Sequence, residues 1–85
     1  SAKFHSVIIS LAYYVLREEI SHAASDQFAE IAWEKSGVRP GLTDMEEQVM
    51  AKRSNGDPHL LVLGLLEEAG DFTPTVRELR RLWGL

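Results

Sequence analysis

Apolar residues along this chain recur at helical spacing, most clearly in residues 57–85 (DPHLLVLGLLEEAGDFTPTVRELRRLWGL). Leu60, Leu61, Val62, Leu63, Leu65 and Leu66 carry no charge among them, which predicts a helix apolar on most of its circumference and buried in the middle of the domain. Asp57 and Pro58 open it as N-cap and first helical residue, because the carboxylate accepts orphan amide protons and proline has no amide proton to lose. Glu67 and Glu68 return it to solvent, and Gly70 is placed to end it. Thr73 and Pro74 repeat the cap-and-proline signal for a following helix. At about 100° per residue, Val76, Leu79, Leu82 and Trp83 fall on one side of that helix and Arg77, Arg80 and Arg81 on the other.

Residues 7–16 (VIISLAYYVL) form the other strongly apolar run. The run is about half the ~20 residues a bilayer span needs, and Arg17, Glu18 and Glu19 close it, so a buried helix is expected and no membrane element. Ile8, Leu11, Ala12 and Val15 lie on one side, with Ile9, Tyr13, Leu16 and Ile20 on the adjoining one. An arc this wide calls either for a central place in the fold or for completion by a second molecule, since each large apolar side chain left in water forgoes roughly 1.5–3 kcal/mol. Tyr14 and Ile9 are the positions at which a change to glutamate is expected to break such a self-association while the helix is kept.

No glycine or proline occurs between Ser1 and Ser36, so only polar caps mark the break between the first two helices. Ser21 and Ser25 both qualify, and the break is expected at residues 22–25; the competing expectation is one continuous helix of about thirty residues. The second helix, expected over residues 26–36, buries Phe28, Ile31 and Ala32 and ends at Gly37. Trp33 lies off that face, as a half-buried flank or a partner contact. Residues 38–42 (VRPGL) make a turn, and Thr43 with Glu46 forms a capping box for a short polar helix. In that helix Met45 and Val49 face inward, while Asp44, Glu46 and Glu47 make an acidic end. The pattern as a whole predicts an all-α fold, a small orthogonal bundle of five or six helices, occupying residues 1–85 as a single domain.

Composition narrows the chemistry. Eighty-five residues, 45% of them hydrophobic, suffice for one small core. There is no cysteine, which excludes disulfides, thiolate metal sites and a cysteine nucleophile, and fits a cytoplasmic or nuclear setting. The first residue is Ser1, which is expected of an excised fragment of a larger protein. A formal net charge of −4 argues against a surface given over to nucleic acid, but the charge is segregated. Residues up to Asp71 carry six basic and twelve acidic side chains, whereas those after it carry three basic and one acidic.

Catalytic signatures are not found in the sequence. His5, His22 and His59 belong to different elements, and only His22 with Asp26 has helical i, i+4 spacing, too few ligands for a structural zinc site. No nucleophile elbow or glycine-rich phosphate loop occurs. The adjacent glutamates at 18–19, 46–47 and 67–68 point about 100° apart on a helix, as solvated faces do. The expectation is a protein that is not an enzyme and uses no cofactor or metal.

Two resemblances attach to these motifs. The helix opened by Asp57 and Pro58, followed by Gly70 and by Thr75-Val76-Arg77-Glu78-Leu79, resembles the fourth and fifth helices of death domains. Residues 25–32 (SDQFAEIA) look like the second helix of that family, and residues 41–44 (GLTD) like the entry to its third. This resemblance implies a six-helix-type interaction fold that assembles signalling complexes through homotypic contacts, without catalysis. Residues 70–85, with Pro74-Thr75-Val76-Arg77-Glu78, are similar to the entry of LexA-like winged helix-turn-helix repressors. That likeness implies DNA binding, with Thr75 and Arg77 at the phosphate backbone and a recognition helix beginning after Leu85.

The leading expectation is a non-catalytic interaction module whose partner is another protein domain, of the same fold or a second copy, with no membrane and with nucleic acid as the alternative. Arg77, Arg80 and Arg81 are expected to dock on an acidic surface, a partner's or the Asp44, Glu46, Glu47 end of another copy. Trp33 and Tyr14 are the further candidate contacts.

Overall fold

A computed structural model describes residues 2–41 and 56–85, with side chains from Ser6 onward in the first stretch. Among the described residues there are four helices and no strand: α1 (Ala2–Glu19), α2 (His22–Ser36), α3 (Pro58–Ala69) and α4 (Thr73–Trp83). The short helix expected after Thr43, with Met45, Val49 and the acidic end, lies outside the described residues.

α1 and α2 are separate helices, and the break falls earlier than residues 22–25. The amides of Ile20 and Ser21 both donate to the Leu16 carbonyl, each at 3.0 Å, and so close the end of α1. Ser21 is extended (φ −172°, ψ 161°), and its hydroxyl accepts the Ala24 amide at 3.1 Å, which makes it the N-cap of α2. Ser25, the other candidate cap, is fully buried inside the helix and donates back to the His22 carbonyl at 2.8 Å. Gly37, at φ 68°, ends α2 with its amide on the Trp33 carbonyl.

The ends of α3 follow the sequence. The Asp57 carboxylate accepts the His59 amide at 2.9 Å, Pro58 opens the helix, and Gly70 (φ 84°) closes it. Its burial does not follow. Val62, Leu63 and Leu66 are buried, but Leu60 is 56% exposed and Leu61 and Leu65 are half-buried. Among the described helices α3 packs on α1 and α4, and Leu60 is left facing solvent instead of the middle of the domain.

α4 starts one residue earlier than its cap-and-proline signal implies. Phe72 is the N-cap, with no side-chain cap bond; its carbonyl accepts the Val76 amide at 2.8 Å and its ring is buried. Thr73 is therefore the first helical residue. Val76 and Leu79 are buried as expected, Trp83 is half-buried, and Leu82 is 41% exposed, off the inward face.

The four helices form two pairs, each joined by a short turn: α1 with α2, and α3 with α4. The pairs dock so that α1 lies on α3 and α2 on α4. Ile9, Leu16, Phe28, Leu63, Leu66, Phe72 and Leu79 fill the space between them. Ile8, Leu11, Ala12 and Val15 are buried as well, so most of the wide apolar arc of α1 is covered within one chain. The radius of gyration, 11.6 Å, is close to the ~12 Å of a folded chain of this length. None of the described helices is long and apolar enough to cross a membrane.

Candidate interaction surfaces

The outward side of α4 is set by what the helix buries. Thr75, Val76 and Leu79 point into the core, and the 100° step then places Arg77, Arg80 and Arg81 together on the exposed side. Two of the three arginines have counter-charges in the chain: Arg80 bonds Glu67 of α3, and Arg81 bonds Glu78 one turn back. Arg77 makes no ion pair with a described residue. The Arg81 hydrogen bond holds the Glu78 carboxyl below its ordinary value of 4.5 and raises the arginine in turn. A lowered carboxyl pKa means the small benefit of this pair is present above pH 4.5 and is lost as the pH falls through the depressed value. Between α3 and α4 runs an open groove of about 180 Å³, floored by Leu66, Gly70 and Val76 and rimmed by Glu67, Arg77 and Arg80.

A second surface lies on α2. Trp33 is 49% exposed, and the Arg39 guanidinium sits 4.0 Å from its ring centroid. Residues 38–41 bring Arg39 there because Ser10 of α1 holds them: its hydroxyl accepts the Gly41 amide at 2.6 Å and donates to the Gly41 carbonyl at 3.1 Å. Trp33, Arg39 and Pro40, with Ala29 and Glu30, line an open groove of about 330 Å³. Asp26, Glu30 and Glu34 extend along the exposed side of α2 beside it, and none of the three is ion-paired with a described residue.

Of the residues singled out in the sequence, the structure brings Arg77, Arg80 and Arg81 onto one face. Trp33 and Tyr14 sit on other helices. Tyr14 is half-buried, with the Arg17 guanidinium 5.1 Å from its ring centroid. Asp44, Glu46 and Glu47 lie outside the described residues. The acidic row of α2 was missed, although its i, i+4, i+8 spacing was there to find. The Arg39 stack had no local signal, because it depends on the αL turn at Gly37 and on a tether from α1. Comparison with protein-family models, with curated proteins and with solved structures finds no match for this chain.

Proposed function

We propose that this chain is a non-catalytic protein–protein interaction module that docks through the outer face of α4 onto an acidic surface of another protein domain. The observation that carries this reading is an arginine row, with Arg77 lacking a counter-charge among the described residues, set on the rim of an apolar groove. A desolvated apolar floor with arginine at its edge is the anatomy of an interface, where arginine is enriched and lysine and carboxylates are depleted. The Arg80 and Arg81 pairs are exposed, and exposed pairs are worth so little that a partner's carboxylates can replace Glu67 and Glu78. The finer architecture belonging to this reading is an orthogonal, death-fold-like bundle of five or six helices, to which the capping-box segment after Thr43 contributes a further member.

Affinity capture from an extract of the source cells tests the reading, with R77E/R81E as control and circular dichroism as the check on folding. The expected result is a protein retained by the wild-type chain and weakened more than tenfold by the double reversal, since like-charge juxtaposition at an interface costs several kcal/mol. Retention that is indifferent to the reversal removes α4 from the account. A gel shift on random-sequence duplex is the companion measurement: retardation falling steeply with salt would assign the arginines to phosphates, as in the helix-turn-helix alternative.

A further inference from the structure

The arginine row of α4 has its complement within the same sequence, and it lies on α2. Asp26, Glu30 and Glu34 follow one another at four-residue intervals over roughly 12 Å of helix and carry no counter-charge among the described residues. Trp33 stands half-exposed beside them at the open 330 Å³ groove. Arg39, the one basic side chain among the described residues that line that groove, is engaged on the Trp33 ring. On α4, Arg77, Arg80 and Arg81 are flanked by Leu82, which is 41% exposed. Each face thus pairs a row of one charge with one large apolar side chain in water. The two faces of one copy do not meet. α2 and α4 touch through their inward sides, where the Ser36 and Thr75 hydroxyls lie 2.6 Å apart, and both rows point away from that contact.

We infer that the acidic partner surface is the α2 face of a second copy of this chain, which receives the α4 arginines and Leu82 against Trp33. The inference rests on the interaction reading above and names the partner for it. Because the two faces differ, the contact is head-to-tail: a pair of copies keeps one free face of each kind, so growth continues unless the rotation closes a ring. The net charge of −4 opposes the assembly at long range while the two faces attract at short range. Salt therefore tunes it, by setting the Debye length over which the charges act.

Sedimentation velocity on the whole chain, at about 100 µM and about 20 mM salt, tests this, with a second run at about 0.5 M salt. Wild type is expected to form species larger than a dimer that disperse at the higher salt. E30K/E34K, which has two basic faces, and R77E/R81E, which has two acidic faces, are each expected to be monomeric and folded by circular dichroism. Mixed, they should restore a complex through the intact acidic face of one and the intact basic face of the other. A wild-type chain that stays monomeric at low salt overturns the inference, as does a mixture that gives no complex. Assembly that survives either reversal overturns it too. If the chain is monomeric yet captures a different protein through Arg77 and Arg81, only the self-docking fails. If both measurements fail, the interaction reading falls with it.

Discussion

Thr75 is fully buried and its hydroxyl has one partner, Ser36 of α2, at 2.6 Å. A buried hydroxyl bond contributes modestly as a pair and costs more when one member is orphaned. Thr75→Val should therefore lower stability by about 1–2 kcal/mol, and Thr75→Val with Ser36→Ala should recover part of that loss, measured by urea unfolding of the four corners of the cycle. Sequence periodicity did not single this residue out, because the group that satisfies its buried hydroxyl is a serine on another helix. The same holds for Ser10, whose two bonds go to Gly41. Asp57, Gly37 and Gly70 were legible for the opposite reason: a cap satisfies groups within one turn of itself, so its signal is local.

Helix boundaries divide along the same line. Ser21 and Ser25 look alike as candidate caps, and only the structure separates the extended serine from the one facing the core. Ser21→Ala is expected to cost about 1 kcal/mol in a thermal or urea melt, through the loss of the Ala24 amide's partner. The faces of α4 were legible because eleven residues with alternating clusters of arginine and apolar side chains leave one choice of inward side. Leu82 is the exception, lying at the edge of that side where a one-residue step decides exposure. On α3 the reading failed for want of contrast. A helix apolar all round predicts burial all round, yet the described helices that pack on α3 are α1 and α4, and Leu60 is left in water.

Among the described residues, α1 supplies the largest share of the buried apolar side chains. Ile9 is fully buried, so Ile9→Glu places a carboxylate in the core and should abolish cooperative unfolding altogether. Tyr14 is half-buried beside Arg17, so Tyr14→Glu should keep the helical signal, and it is the substitution that can probe contacts made by α1. The all-α class was legible from the whole pattern; the pairing of helices was not, because α1 with α3 and α2 with α4 are contacts between residues far apart in sequence. That docking order constrains how the molecule folds. Each hairpin can form locally, but neither covers its apolar side until the other arrives, and the encounter must first close the long stretch of chain between them. Hairpin docking is therefore expected to be the slow event in folding, because both contacts between the pairs, α1 on α3 and α2 on α4, must close that stretch.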